Sequence, residues 1–242
     1  YEFLFGDCSS DVCSSDLIPS LARSKDRANR LLCISNIRQC YNAGLLYSND
    51  YNDYLPMGNI WADQSKPEGW TDMNFYTCLI LNQQYALTED VGMCTSWKKW
   101  KKEFFKEPTM YDNQHFKLGG TTVGYIYFGR RFDKEGSQYS PMLENGKVYK
   151  TPVRASDGAG TATSNTVMTC FHWDSISTGG QWGAKMPHIK NGIGQIYDST
   201  ARDLTPTPEG LCVSKMDGSA QWVKWKNLDH VTQGQVRAYF SR

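Results

Sequence analysis

The chain has 242 residues, with 26 lysines and arginines against 25 aspartates and glutamates and a formal charge of +1. This length suits one domain with a sizeable core, and the near-neutral charge excludes a chain-wide field that would attract nucleic acid or an anionic membrane surface. The printed sequence contains no run of about 18 apolar residues, the minimum for a helix that spans a bilayer.

The first residues repeat a short polar string. Cys8-Ser9-Ser10-Asp11 recurs at residues 13–16, and residues 11–17 back-translate to a string that resembles a sequencing-adapter oligonucleotide. Because a segment of that origin carries no information about the fold, we expect residues 1–17 to be an assembly artefact and the native sequence to start near Ile18. A genuine Ser/Cys-rich tail is the alternative.

A helical period holds from residue 20 to residue 50. At about 100° per residue, one apolar stripe forms the face that a helix turns to a core: Leu31, Ile34, Ile37, Tyr41 and Leu45. The preceding turns carry basic residues from Arg23 to Arg30, which fit either a collar at a membrane surface or a solvated turn. Residues 49–53 and then Pro56 end the helix.

The remainder of the chain favours a second short helix at residues 71–81 and then antiparallel strands. Residues 121–132 alternate as a strand does, residues 167–173 are a further strand, and residues 211–216 and 220–225 flank Asp217-Gly218, which predicts a hairpin with a type I′ turn. We therefore predict an α+β domain: a long N-terminal helix (residues 18–56, with its end) packed on an antiparallel sheet, with long loops and a C-terminal β-hairpin in a head at 57–242.

Two motifs lie near the ends of the chain. The first is Cys33, Asn36, Gln39, Tyr47, Asp50, Leu55 and Pro56, and the second is His188, Asp217, Gly218 and Trp222. Together they resemble the motifs of prepilin-type N-terminal cleavage/methylation proteins, a pseudopilin-like family with a C-terminal His…Asp-Gly motif. Ser219 stands where that family usually has His, and the spacing between His188 and Asp217 is long.

The resemblance implies a pilin-like structural subunit of a type II secretion or type IV pilus-like system, and not an enzyme. Such a protein is made as a precursor, cleaved and methylated by a prepilin peptidase, and anchored in the inner membrane by an apolar span that would precede Ile18, with a periplasmic or extracellular head. Its partners would be other pilin-like subunits and the secretion machinery, and nucleic acid is not expected. The sequence accordingly lacks His-Glu-x-x-His, Walker A and Gly-x-Ser-x-Gly motifs.

The cysteines follow no metal-knuckle spacing. After residue 17 there are six, none in a Cys-x-x-Cys pair: Cys33, Cys40, Cys78, Cys94, Cys170 and Cys212. On a helix, Cys33 and Cys40 lie about 10 Å apart along the axis, too far to bridge each other. Each would need a partner in the strand region, and Cys94 is our candidate for Cys33.

Two metal hypotheses remain open. His172, Asp174 and His188 are candidate ligands, although scattered histidines are more often solvent-facing or hydrogen-bonded. Some pseudopilins order a C-terminal loop around calcium, for which Asp198, Asp203 and Asp217 offer oxygen ligands; a solvated acidic loop is the alternative. No other cofactor is expected.

Tryptophans in loop-like stretches support an alternative function, a secreted or surface glycan-binding module. They are Trp61, Trp70, Trp97, Trp100, Trp173 and Trp182. The lysines beside Trp97 and Trp100 also suit an anionic polymer, but helical spacing favours placing these two rings in the core and the lysines in water.

Overall fold

The structure, a computed structural model, describes residues 10–58, 72–88, 90–95, 120–122, 125–130, 142–143, 150–157, 166–170, 174–175, 184–189, 192–196, 209–233 and 236–241. Side chains are described for residues 18–58, 77–88, 90–95, 125, 127–130, 150–157, 166–170, 188, 209–229 and 240–241.

Helix α1 runs from Ser10 to Asp50, so the predicted helix is present and begins earlier than expected. Its buried residues are Cys33, Ile37, Cys40, Tyr41, Ala43, Gly44, Tyr47 and Ser48. The predicted stripe is therefore displaced: Ile37 and Tyr41 are buried, but Leu31 is 59% exposed. Cys33 and Cys40 behave as small apolar residues and lie on the buried face of α1. The centre of that face therefore lies away from Leu31.

The helix ends where the sequence predicts. Asn52 and Asp53 take left-handed φ angles of 53° and 68°, which turn the chain out of the helical path. The Asp53 carboxylate accepts hydrogen bonds from the backbone and side chain of Ser156, and the Leu55 N–H donates to the Val153 carbonyl at 3.0 Å. The segment after α1 is thereby fixed against the strand region.

Within the described ranges the remaining elements are one helix and twelve strands. They are β1 (Asp72–Asn74), α2 (Phe75–Gln84), β2 (Gly120–Thr122), β3 (Tyr125–Tyr127), β4 (Met142–Leu143), β5 (Thr166–Cys170), β6 (Asp174–Ser175), β7 (Ala184–Ile189), β8 (Gly192–Ile196), β9 (Gly210–Lys215), β10 (Ala220–Lys224), β11 (Leu228–Gln233) and β12 (Val236–Ser241), with a 3₁₀ turn at Trp225–Asn227.

All the strand pairs are antiparallel, and they form two four-stranded sheets in the orders β10-β9-β5-β3 and β4-β11-β12-β6 and two ribbons, β1-β2 and β7-β8. Helix α1 packs on β5, β9 and β10 of the first sheet. This confirms the predicted α+β class, with one long helix on an antiparallel sheet. No helix in the described portion of the chain combines the length and apolar character needed to cross a bilayer.

The predicted hairpin is present as β9 and β10, but its turn differs. The Gly218 N–H donates to the Lys215 carbonyl at 3.0 Å, and of the loop residues only Gly218 has a positive φ, +80°. A type I′ turn needs positive φ at two residues, so the turn is of type I followed by a glycine bulge. Nor is this hairpin the last element, because β11 and β12 form another after it.

Candidate metal centre

Four cysteines and one histidine meet beneath α1. Cys33, Cys94, Cys170 and Cys212 have no exposed surface, and His188 is 7% exposed. None of these cysteines is in a disulfide. Burial of the His188 imidazole is costly unless its nitrogens bind neighbouring groups or a ligand, so the geometry around this ring is informative.

The elements place these residues from four directions. Cys33 lies on the buried face of α1, Cys170 is the last residue of β5, Cys212 lies in β9, and His188 lies in β7. Pairing of β5 with β9 brings the Cys212 N–H to 3.4 Å from Cys170 Sγ. The Glu209 N–H donates to the His188 carbonyl at 3.0 Å, which attaches β7 to the start of β9.

The donor atoms are close together. Cys33 Sγ lies 3.1 Å from Cys170 Sγ, and Cys170 Sγ lies 3.3 Å from His188 Nε2. The donor atoms of Cys33, Cys170, Cys212 and His188 all lie within 4.8 Å of one another. Three thiols and one imidazole at this spacing are a ligand set that structural zinc sites use, so this buried cluster can bind a metal ion.

Cys94 is a fifth donor at the edge of this set. Its Sγ lies 3.5 Å from Cys33 Sγ and 3.4 Å from His188 Nε2. Asn36 of α1 positions the loop that carries it, because the Asn36 amide donates to the carbonyls of Asp90 at 3.1 Å and Met93 at 3.3 Å. The prediction that Cys94 forms a disulfide with Cys33 is wrong, because both thiols are free and their Sγ atoms lie 3.5 Å apart.

A charged and aromatic rim covers the cluster. Arg30 of α1 forms an ion pair with Glu209, and its guanidinium lies 4.5 Å from the centre of the Trp222 ring. His188 meets the same ring edge-on, with the ring centres 5.1 Å apart and the planes at 84°. Cys212 Sγ lies 3.8 Å from the Arg30 carbonyl. These contacts fix the orientation of the imidazole and hold it between α1 and β10.

The cluster favours charge separation. Hydrogen bonds from Cys170 and Cys33 lower the pKa of Cys212 to about 6. Burial opposes charge on His188, but the neighbouring Cys94 and Cys33 outweigh it and raise the pKa of the imidazole to about 10. Burial raises the pKa of Cys94 and, further, that of Cys170. Metal binding to these groups would displace their protons, because thiolate and neutral imidazole are the forms that bind a cation.

The two sequence motifs meet at this centre. Cys33 from the first motif and His188 and Trp222 from the second lie together. Residues of the first motif further along α1 serve the helix end instead: Tyr47 stacks on Tyr51, with ring centres 4.0 Å apart, and Asp50 accepts a hydrogen bond from Tyr85 at 2.6 Å.

The other motif residues have structural surroundings. Leu55 and Pro56 are buried, and the Pro56 carbonyl accepts a hydrogen bond from Tyr127 at 2.7 Å. Among the described residues, the exposed Gln39 donates to Ser35 of its own helix. Gly218, in the hairpin turn with Asp217, lies next to Tyr41, whose hydroxyl donates to the Met216 carbonyl.

The described residues give no support to calcium. Asp217 is exposed, and hydrogen bonds from the Ser219 side chain and from the Ser219 N–H, the latter at 2.9 Å, lower the pKa of this carboxyl. Asp198 and Asp203 lie outside the described residues, as do His172 and the six tryptophans proposed for a glycan surface (Trp61, Trp70, Trp97, Trp100, Trp173 and Trp182). The backbone of Asp174 belongs to β6, and its side chain is not described.

The cysteine cluster was missed from the sequence. The sequence favours a solvent-facing or hydrogen-bonded His188. The structure places Nε2 of this ring 3.4 Å from Cys94 Sγ and 3.3 Å from Cys170 Sγ. A Cys-x-x-Cys pattern does not reveal this site, because each of its four donors lies in a different helix or strand. A usable signal was present nonetheless: Cys33 lies in the predicted helix, and Cys170 and Cys212 lie in predicted strands, so all three belong to elements that bury one face.

Comparison with known proteins adds no relative, since neither a protein-family model nor a curated protein nor a solved structure matches this chain.

Proposed function

We propose that this chain is a structural, pilin-like subunit of a type II secretion or type IV pilus-like assembly in the cell envelope. The proposal assigns it no catalytic activity. Its head would lie on the periplasmic or extracellular side, and its partners would be other pilin-like subunits and the secretion machinery. The proposal starts from the resemblance of the two sequence motifs to those of pilin-like proteins. The structural observation that supports it is the division of α1 into an exposed part and a buried part.

That division is sharp. Every residue from 18 to 28 is exposed, whereas most of the buried face of α1 lies between Cys33 and Ser48. With a rise of about 1.5 Å per residue, the part of α1 from Ile18 to Asp50 is roughly 50 Å long. A helix with one end fixed to a sheet and the other free of it suits a subunit that inserts its free part among neighbouring helices.

The exposed side of α1 also carries apolar residues on one stripe. Ile18, Leu21, Leu32 and Leu46 are 68%, 71%, 51% and 53% exposed. At about 100° per residue these four positions fall within an arc of roughly 80°, and Leu31, which is 59% exposed, widens the arc to roughly 140°, an apolar face that a helix can present to a partner. In the proposed assembly, this stripe packs against the α1 helices of neighbouring subunits.

The test begins with the gene. We expect genomic resequencing across residues 8–17 to show, upstream of Ile18, codons for a short basic leader followed by about twenty apolar residues. Expression of that gene beside a prepilin peptidase should then give a shortened, membrane-associated product. A genome that encodes residues 8–17 as printed, or a cleavable secretory signal in their place, would overturn the proposal.

A further inference from the structure

We propose that Cys33, Cys170, Cys212 and His188 bind a single Zn²⁺ ion in a closed, tetrahedral site that joins α1 to the sheet. This site stands on its own geometry and does not depend on the proposed role in an envelope assembly. Its function is structural: the ion fixes the helix in place on the strands.

The donor types select the metal. Three thiolates and one imidazole are the soft and borderline ligands that zinc prefers, whereas calcium and magnesium require oxygen ligands. The proposed ligand set contains no carboxylate. Zinc also has no redox chemistry of its own and imposes no geometry beyond the tetrahedron that four ligands define.

The observed spacing requires little rearrangement. With Zn–S bonds of about 2.3 Å and Zn–N bonds of about 2.0 Å, tetrahedral donors lie roughly 3.5–3.8 Å apart. The Sγ atoms of Cys33 and Cys170 are 3.1 Å apart, and Cys170 Sγ is 3.3 Å from His188 Nε2. An outward movement of a few tenths of an ångström brings these two pairs to that spacing, and all four donor atoms already lie within 4.8 Å of one another.

The surroundings complete the site. The Cys212 N–H points at Cys170 Sγ at 3.4 Å, and a hydrogen bond of this kind stabilises a metal-bound thiolate. The ring of Trp222 packs against the edge of His188 and limits the orientations of the imidazole. Because all four ligands are buried, the site offers no open position for substrate or water, which distinguishes a structural zinc site from a catalytic one.

A disulfide is the rival use of these thiols. Cys33 touches two sulfurs, those of Cys170 and Cys94, so oxidation would consume one pair and leave the remaining thiols with a buried imidazole. A metal ion satisfies all four donors at once. Cys94 then lies beside the site as a neutral thiol in contact with the ligands Cys33 and His188.

Metal content of the full chain tests the proposal first. After purification with zinc sulfate and extensive dialysis, we expect elemental analysis to find about one Zn per chain, and intact mass under denaturing conditions to show every cysteine reduced. Absence of zinc, together with a mass loss of two hydrogens per bridge, would establish the disulfide and overturn the proposal.

Cobalt gives a readout that needs no mutation. When Co²⁺ replaces Zn²⁺ in the wild-type chain, we expect the intense visible bands of a tetrahedral ion and the near-ultraviolet charge-transfer band of thiolate ligands. The weak bands of an octahedral ion, or the absence of a charge-transfer band, would exclude the proposed ligand set.

Variants then assign the ligands. Cys212→Ser should reduce bound zinc from about one ion per chain to nearly none after dialysis, whereas Cys94→Ser should retain it. Cys78→Ser is the matched control, since Cys78 is equally buried but does not belong to the ligand set. Retention of zinc by Cys212→Ser and its loss from Cys94→Ser would overturn the assignment of Cys212.

Discussion

The two halves of α1 differ in what lies against them as well as in hydropathy, since the half before Leu31 carries the basic residues from Arg23 to Arg30 and the other half carries the buried face. In the first half Leu21 is 71% exposed, although it is as apolar as any residue of the helix. In the second half Cys33 has no exposed surface and lies at the cysteine cluster. One continuous helix thus contains a free segment and a segment held by the sheet, and the boundary near Arg30 coincides with the edge of the cluster.

Removing the metal should have the largest effect on this difference, because the proposed ion attaches the second half of α1 to the sheet. When free zinc exceeds its dissociation constant a thousandfold, binding stabilises the folded chain by about 4 kcal/mol. For a chain of this size that corresponds to a fall in Tm of roughly 10 °C on chelation. Calorimetry with and without EDTA measures it. Cys212→Ser, which lacks the ion, should not respond to EDTA, and an unchanged wild-type Tm would contradict the expectation.

Core packing should show the same contrast without the metal. Ile37 is completely buried on the held segment, so Ile37→Ala should lower the free energy of unfolding by roughly 2–5 kcal/mol through lost burial and a cavity. Leu31→Ala is the matched change at a site that is 59% exposed, and it should cost less than about 0.5 kcal/mol. Urea titration of both variants measures the difference. Equal effects would mean that Leu31 also faces a core.

Asn36 sharpens the comparison at the level of hydrogen bonds. Asn36→Ala removes the donor to the Asp90 and Met93 carbonyls and should destabilise the chain by about 1–2 kcal/mol. Gln39→Ala provides the control, because the Gln39 amide donates, among the described residues, to Ser35 on the same exposed face. Chemical denaturation should separate the two variants; if Gln39→Ala costs as much as Asn36→Ala, the loop before Cys94 is not held by Asn36.

Tyr41 reports on the contact between α1 and the hairpin turn. Tyr41→Phe keeps the buried ring but removes the hydroxyl that donates to the Met216 carbonyl, at an expected cost of about 1 kcal/mol. Burial raises the pKa of this hydroxyl to about 12, so it remains a donor throughout the neutral range. Tyr51→Phe, at a ring that is 38% exposed, should change the unfolding free energy by less than about 0.5 kcal/mol. If Tyr51→Phe destabilised the chain more than Tyr41→Phe in thermal denaturation, the hydrogen bond from Tyr41 to the Met216 carbonyl would not contribute as expected.

The free segment should give the smallest effect on stability and a distinct effect on assembly. Leu21→Glu lies at an exposed position, so the unfolding free energy should change by less than about 0.5 kcal/mol. If the stripe packs against neighbouring helices, the same variant should abolish incorporation into an envelope fibre, measured by cross-linking in cells. Arg23→Glu is the control on a polar position of the segment. Normal incorporation of Leu21→Glu would remove the stripe from the proposed interface.

Local patterns explain which elements could be predicted. The helical period of residues 20–50 and the stop at residues 49–53 are set by neighbours a few positions apart, and the structure contains both. Asp217-Gly218 likewise predicted a hairpin, but not its turn type, because Gly218 alone takes positive φ while the Asp217 carboxylate binds the Ser219 N–H. The apolar stripe was placed about one residue away from the real contact, because hydropathy ranked Leu31 above Cys33.

The amino-acid sequence by itself determined a long helix, its end, a hairpin at Asp217-Gly218 and the α+β class, since each depends on short-range periodicity or turn chemistry. Only the tertiary structure decided the cluster. Its thiols are separated along the chain by 61 residues between Cys33 and Cys94 and by 137 residues between Cys33 and Cys170. No local rule links residues that far apart, and they meet because strand pairing and the packing of α1 on the sheet leave one buried space for all of them.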